Sequence, residues 1–264
     1  LAGLTHLKVL YLDGNNALTD LSPLENLTEL NELLLPAQAE LSDLTPLSGM
    51  TQLRNLGMSD GVNDSLSKIE DIAPLSGLTQ LEELTMAVRS LTDLSPLSGL
   101  THLKTLRLYG AISISDLSPL SGMKELEVLQ LTNNHANSYV GTDLNALQPL
   151  THLKTIRLNV DGLTDLSPLA GLTELEELNM YGFEGTYSSL EPLRELTALR
   201  VLVLPRRSDA ANRQHRCSLD LLAGFTDLEE VRLDGDTSDL SPLSGLTKLR
   251  TLTLYNGYLM TDLS

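Results

Sequence analysis

Arginine, tyrosine and asparagine recur in this sequence at alternate positions around a single leucine or methionine. Arg107 and Tyr109 flank Leu108, and Asn179 and Tyr181 flank Met180. Because successive side chains of a β-strand point to opposite faces, the flanking residues share one face and the residue between them faces the core. Arginine and tyrosine are enriched among the residues that contribute most to protein–protein binding. The candidate contact residues on this face are Tyr11, Arg107, Tyr109, Arg157, Asn179, Tyr181, Arg232 and Tyr255.

A competing interpretation is that glutamates on adjacent strands neutralise these arginines, since opposite charges on neighbouring strands attract. The glutamates placed to do so are Glu83, Glu177 and Glu230. The two interpretations predict different surfaces, one with free cations and one with closed ion pairs.

A second group of candidates lies in three segments that lengthen the chain after predicted strands, at about 59–70, 132–142 and 205–217. Insertions in repeat proteins become loops and often map to the binding face, although charged loops are commonly only solvated. The first segment is acidic, the second is polar, and the third is rich in arginine. The candidate contact residues of this loop rim are Asn134, His135, Tyr139, Arg206, Arg207, Arg213 and Arg216.

The sequence offers little chemistry for catalysis or metal binding. Cys217 has His215 nearby but no further candidate ligand, and nothing places a base that would activate its thiol. Three of the histidines, His6, His102 and His152, occupy one repeat position, and no phosphate-binding glycine motif is present. We therefore expect no enzyme activity, no metal site and no cofactor.

A repeated phrase, Asp-Leu-Ser-Pro-Leu, defines the elements that must position the candidate residues. Each copy leads into leucines spaced by three, three and two residues, as in Leu100, Leu103, Leu106 and Leu108. A fixed period in the twenties is typical of a solenoid, in which each repeat is one turn that buries its leucines against its neighbours. The pattern predicts one short strand per turn, and Asp or Ser capping a short helical turn with proline near its start. The phrase begins at Asp20, Asp93, Asp116, Asp165 and Asp239, with looser copies at Asp43 and Asp71.

The turns are grouped in threes. Asp20, Asp93, Asp165 and Asp239 are 73, 72 and 74 residues apart, and one turn in each three-turn block is long. We interpret the block as a duplicated unit, and the long turns carry the three loop segments described above.

The repeat resembles the leucine-rich repeat family, in the bacterial subtype with short turns seen in internalin-like proteins. The phrase at 93–103 also resembles actinobacterial repeat arrays attached to NACHT-type signalling ATPases. The resemblance covers essentially the whole chain. It implies an α/β solenoid, a leucine-rich repeat arc of about eleven turns. A parallel β-sheet would line the concave face, and short helical or 3-10 turns would form the convex face.

Composition narrows the class of partner. The formal net charge is −17, which disfavours nucleic acid and anionic membranes because phosphate-binding surfaces need an excess of Lys and Arg. No apolar run reaches the length that spans a bilayer. The single cysteine excludes a disulfide within the chain. We expect a protein partner, and neither nucleic acid, membrane insertion nor a small-molecule cofactor.

The sequence begins and ends inside a repeat, whereas solenoids usually carry polar caps. We therefore expect residues 1–264 to form a single leucine-rich repeat domain that is a fragment lacking both caps. The expected function is ligand recognition, as the sensor part of a larger cytoplasmic bacterial signalling or defence protein of NACHT or STAND type. The alternatives are a secreted internalin-like surface adhesin, and a structural spacer or a solenoid that self-associates through uncapped ends.

Overall fold

The computed structural model describes residues 1–36, 40–58, 68–132, 140, 143–182, 185, 187, 189–205, 218–234 and 239–255. The chain divides into two compact units, Leu1–Val140 and Gly141–Ser264. Each unit is a stack of turns, and in each turn one strand alternates with one short 3-10 turn. The solenoid predicted from the repeat is therefore confirmed, while a single domain lacking both caps stays a prediction.

The first unit contains six parallel strands that pair in chain order. Each strand adds one turn, because the leucines of that turn can be buried only against the turns on either side. The strands are β1 (Val9–Tyr11), β2 (Glu32–Leu35), β3 (Asn55–Met58), β4 (Glu83–Leu91), β5 (Thr105–Ile112) and β6 (Val128–Thr132).

The second unit continues the same arrangement with five described strands, which again pair in parallel and in chain order. The strands are β7 (Thr155–Asn159), β8 (Glu177–Tyr181), β9 (Val201–Val203), β10 (Glu230–Asp234) and β11 (Thr251–Tyr255).

The core of each unit is made of leucine layers. Leu106 and Leu108 of β5 are 0% exposed, as are Leu100 and Leu103, which precede the strand. In β11 the equivalent inward residue Leu252 is 42% exposed, since that strand has a described neighbour on one side only. Burial therefore depends on stacking between turns.

Short 3-10 turns lie on the side of each unit opposite the strands, and most carry proline in their first two positions. An aspartate lies two residues before eight of the ten described turns, and Ser189 and Ser218 hold this position before the other two. Asp20 Oδ1 accepts a hydrogen bond from Ser22 N–H at 2.8 Å, and Asp20 Oδ2 accepts one from the Ser22 hydroxyl at 2.8 Å. The turns are Ser22–Leu24, Thr45–Leu47, Ala73–Leu75, Ser95–Leu97, Ser118–Leu120, Asn145–Leu147, Ser167–Leu169, Glu191–Leu193, Asp220–Gly224 and Ser241–Leu243.

The aspartate acts one residue earlier than a standard helix N-cap. Leu21 occupies the N-cap position and makes no side-chain cap hydrogen bond. The Asp20 carboxylate instead closes an Asx turn, in which a side-chain oxygen binds the N–H two residues on. The predicted capping role is thus performed by a turn that leads into the 3-10 segment.

These hydrogen bonds make the stability of the fold dependent on pH. The N–H of the serine two residues on, and then its hydroxyl, lower the pKa of Asp20, Asp165 and Asp239 below the usual range. For Asp43 and Asp93 the hydroxyl of Thr45 or Ser95 lowers the pKa more than the N–H does. A pKa that is lowered on folding stabilises the folded state above the unfolded value of about 3.9. This stabilisation is lost as the pH falls through the folded value.

We therefore expect the free energy of unfolding to fall as the pH drops below about 4. Urea unfolding between about pH 7 and about pH 2.5 measures this effect. A variant with asparagine at the five aspartates keeps an acceptor for the turn but cannot titrate. Its stability should depend less on acid pH, and an equally steep loss would show that these aspartates are not responsible.

The position just before each strand from β3 to β11 alternates in charge along the chain, and we call this series the charge ladder. In the first unit Glu82 binds Arg54 on one side and Lys104 on the other, with Lys104 Nζ 2.8 Å from Glu82 Oε2. In the second unit Glu229 lies between Arg200 and Arg250. The hydrogen bond from Lys104, and then that from Arg54, lowers the pKa of Glu82. The series is Arg54, Glu82, Lys104, Glu127, Lys154, Glu176, Arg200, Glu229 and Arg250.

Candidate partner-binding surface

The sheet in each unit has one face turned away from the leucine core, which we call the open face. Its middle row consists of the residues between the two inward positions of each strand. Strand register places Thr85 beside Arg107 and Arg107 beside Gln130 in the first unit. In the second unit it places Arg157 beside Asn179, then Val203, Arg232 and Thr253. The predicted contact residues therefore do lie on this face.

The loop-rim candidates are not placed by the structure. Asn134, His135, Tyr139, Arg206, Arg207, Arg213 and Arg216 lie outside the described residues, as do most of segments 59–70, 132–142 and 205–217. Their role in binding stays a prediction.

The open face of the first unit carries one unpaired arginine. Arg107 and Tyr109 both lie on β5 and are half-buried. In the part of the chain that the structure describes, neither side chain makes a hydrogen bond or an ion pair, so Glu83 does not neutralise Arg107. Tyr11 lies on β1, where its hydroxyl donates to Glu32 Oε2 at 2.6 Å, and this bond raises the pKa of Tyr11.

In the second unit the predicted residues of β7 and β8 form a connected cluster. Arg157 Nε and Nη2 donate to the two carboxylate oxygens of Glu177, each at 2.7 Å. Asn179 Nδ2 donates to the Tyr181 hydroxyl at 3.1 Å and lies 3.4 Å from Glu177 Oε1. Tyr181 remains 47% exposed. We call these four residues, Arg157, Glu177, Asn179 and Tyr181, the polar cluster.

Arg232 also forms an ion pair, but the geometry of this pair is poorer than that of Arg157 with Glu177. Its Nε lies 2.7 Å from Glu230 Oε1 on the same strand, yet the geometry is not that of a hydrogen bond, and the N–H has no hydrogen-bond acceptor among the described residues. Glu177 thus neutralises Arg157 across adjacent strands, as the competing interpretation predicted, whereas Glu230 forms an ion pair with Arg232 within one strand. Tyr255 lies at the end of β11, beside Asp234 of β10.

Two valines of the open face were also not among the predicted contact residues. Val201 and Val203 of β9 lie between the polar cluster and Arg232. Their open-face position could be derived from the period-two pattern, but their significance comes from the polar atoms on either side.

The 3-10 side of the second unit has a cleft of about 570 Å³. It is lined by Ser189 and Ser218, which replace the phrase aspartate in two successive turns, together with Glu191, Arg194 and Asp220. Arg194 is already bonded to the carboxylate of Glu191. Part of the charge that lines the cleft is therefore already neutralised by the ion pair between Arg194 and Glu191.

Among the described residues, no cluster of His, Cys, Asp or Glu side chains is arranged to hold a metal ion. The same residues contain no helix with the length and apolarity needed to cross a membrane.

Comparison with known proteins supports the fold through solved structures. No protein-family model and no curated protein matches the sequence. The internalin InlF of Listeria monocytogenes is 28% identical, with a TM-score of 0.74 over 95% of this chain and 68% of InlF. Internalin C2 of the same organism is 27% identical, with a TM-score of 0.61 over 77% of this chain and 84% of its own. The chain has the leucine-rich repeat fold.

A more distant likeness extends to a plant peptide hormone receptor, RGFR1, solved in complex with RGF2. The receptor is 20% identical to this chain, with a TM-score of 0.70 over 96% of this chain and 40% of the receptor. At this identity the likeness shows the fold alone.

Proposed function

We propose that this leucine-rich repeat protein is a recognition module that binds a protein partner through the open face of its sheet. The observation that carries the proposal is the polar cluster of the second unit. It combines an arginine, a half-exposed tyrosine and an asparagine on two adjacent strands. Tyrosine and arginine are the residues most often found at the energetic centre of protein interfaces.

The polar cluster is also preorganised. The two hydrogen bonds from Arg157 to Glu177 fix the guanidinium plane, and the Glu177 side chain is only 16% exposed. A fixed side chain loses less conformational entropy on binding than a mobile one, so more of the contact energy appears as affinity. Because the ion pair is internally neutral and the protein carries −17, the surface suits neutral or basic partners.

Two finer versions of this function differ in what the repeats are attached to. The similarity to InlF and internalin C2 supports a secreted, internalin-like adhesin at the cell surface. The repeated phrase supports the alternative, a cytoplasmic sensor joined to a NACHT or STAND signalling ATPase. The sequence of the full-length gene product distinguishes them, since the adhesin requires a signal peptide and a surface anchor, and the sensor requires an ATPase motif.

The experiment for the open-face function begins with a displayed library of protein fragments selected on the intact chain. A recovered fragment is purified, and its affinity is measured by calorimetry for the wild type and for a variant carrying Arg107→Glu, Arg157→Glu and Tyr181→Ala. We expect the variant to bind at least about tenfold more weakly, because it reverses or removes central contacts.

A matched control carries Lys124→Glu and Arg194→Glu, two charge reversals away from the open face, and should bind as the wild type does. Equal affinity of the wild type and the open-face variant would contradict recognition through the open face. It would favour the alternative that the chain is a spacer or self-associates. Shortening segment 205–217 tests the loop rim in the same assay.

A further inference from the structure

Strand β9 carries two valines on the open face, and we call the polar residues beside them on β8 and on β10 its two walls. Register places Val201 between Glu177 of β8 and Glu230 of β10, and it places Val203 between Asn179 and Arg232. Val203 is 3% exposed although it lies on the open face, so neighbouring groups cover it. We call Val201 and Val203 with these flanking residues the β9 trough.

The two walls each bury a polar atom that has no hydrogen-bond partner among the described residues. Asn179 is 8% exposed, and its Oδ1 accepts no hydrogen bond from them. Across Val203, the Nε–H of Arg232 likewise has no acceptor in hydrogen-bond geometry, although Glu230 Oε1 lies 2.7 Å from Nε in an ion pair. One wall therefore holds an unsatisfied acceptor and the other an unsatisfied donor, in the same row of the sheet.

The burial of these two polar atoms destabilises the folded protein when no partner is bound. A buried polar atom without a partner costs free energy, whereas an apolar side chain of similar shape would avoid that cost. Leucine occupies the equivalent place in β2 as Leu34, so the repeat accepts an apolar residue there. The unsatisfied pair is consistent with a group supplied from outside.

Asn179 and Arg232 lie on the strands to either side of β9, whose main chains are separated by about 10 Å. An amide between the two side chains would make one hydrogen bond of about 2.9 Å to each of them. A trans amide also points its N–H and C=O in opposite directions, as an acceptor on one wall and a donor on the other require.

We propose that the β9 trough binds one extended segment of the partner protein. A main-chain N–H of that segment donates to Asn179 Oδ1, and its C=O accepts from Arg232 Nε. This inference rests on the proposed open-face function and specifies which chemical group the second unit recognises.

The geometry also fixes the direction and composition of the segment. In an extended chain the N–H and C=O groups point sideways, so a segment bonded to both walls runs parallel to β9. We expect the residue above Val203 to be small, because neighbouring groups already cover Val203. The amide is uncharged, in keeping with an Arg232 guanidinium that already forms an ion pair with Glu230. Entry requires the Asn179 and Arg232 side chains to swing apart over Val203.

The test is a titration of the intact chain with N-acetyl-alanine methylamide, a blocked residue with two main-chain amides and a small side chain. The Arg232 Nε–H and Asn179 side-chain amide signals are followed by two-dimensional ¹H–¹⁵N NMR. We expect both to shift and to saturate. The Asn179→Leu variant should bind the probe about tenfold more weakly, the loss of roughly one hydrogen bond. It should also melt at a higher temperature than the wild type.

The matched control is Gln130→Leu, which removes an amide from the middle row of the first unit, where Gln130 is also 8% exposed. It should leave the titration unchanged. The Val203→Phe variant fills the trough with both walls intact and should also prevent binding. A titration in which the signals do not saturate, or in which Asn179→Leu binds as tightly as the wild type, would overturn the proposal. Equal binding of acetamide, a mimic of side-chain carboxamides, would overturn its assignment to the main chain.

The two proposals fail separately. Absence of probe binding, together with weaker fragment binding by the open-face variant, would remove the β9 trough and leave the open-face function. Unchanged fragment binding by that variant would remove the open-face function itself.

Discussion

The Leu106→Ala variant is expected to lower the free energy of unfolding by about 3–5 kcal/mol. Leu106 is 0% exposed and lies between Leu84 and Leu129, which are equally buried on the two neighbouring strands. The backbones on both sides are fixed by parallel pairing, so the turns cannot collapse into the space that the side chain leaves. The cost therefore includes a cavity as well as the lost burial.

The control is Arg107→Ala on the same strand. Arg107 faces the open side and makes no hydrogen bond or ion pair with the described residues, so its loss should change stability by at most about 0.5 kcal/mol. Urea unfolding of both variants provides the comparison. Similar losses for the two would mean that the leucine layers contribute no more to stability than the open face does.

The Gly182→Ala variant is expected to lose about 3 kcal/mol, because its new Cβ would collide with main chain rather than with a movable side chain. The Cβ would lie 1.6 Å from the carbonyl oxygen of Val160 and 2.8 Å from its carbonyl carbon. The two chains are held there by a hydrogen bond of 2.7 Å from Val160 N–H to the carbonyl of Tyr181. Relief of the collision must lengthen or break this bond.

The same displacement should weaken partner binding. Tyr181 directly precedes Gly182, so a shift of the chain at this point moves the tyrosine of the polar cluster. Gly171→Ala is the matched control, because a Cβ at Gly171 meets no atom within 4 Å. Thermal and urea unfolding should leave this control within about 0.5 kcal/mol of the wild type. If Gly182→Ala were equally stable, the close approach of the two chains would not be a constraint.

The arrangement of Leu106, Arg107, Leu108 and Tyr109 was predictable because a period of two assigns each residue to a face. The pairing of the arginines was not. Arg157 binds a glutamate on the next strand, and Arg232 lies beside one on its own strand. Arg107 makes no ion pair with any described residue, although Glu83 is one strand away. Pairing depends on the rotamers of long side chains, and these are not contained in the repeat pattern.

Other features required backbone geometry. The phrase predicts that Asp20 interacts with a helical turn, but only the dihedral angles of Leu21, φ −96° and ψ −1°, place the carboxylate in an Asx turn. Similarly, the row containing Asn179, Val203 and Arg232 follows from strand register. That two polar atoms in this row have no partner depends on side-chain positions that a pattern does not specify.

The charge ladder limits how such a chain can gain or lose turns. The block that begins at Asp93 contributes the ladder residues Lys104, Glu127 and Lys154, and the next block contributes Glu176, Arg200 and Glu229. A second copy of the block that begins at Asp93, placed directly after it, would put two lysines on successive turns, where like charges repel. The block that begins at Asp165 carries the opposite signs, which keeps the alternation. Recombination that deletes one turn brings like charges together, whereas deletion of two preserves the alternation, so the turns of this protein are exchangeable in pairs.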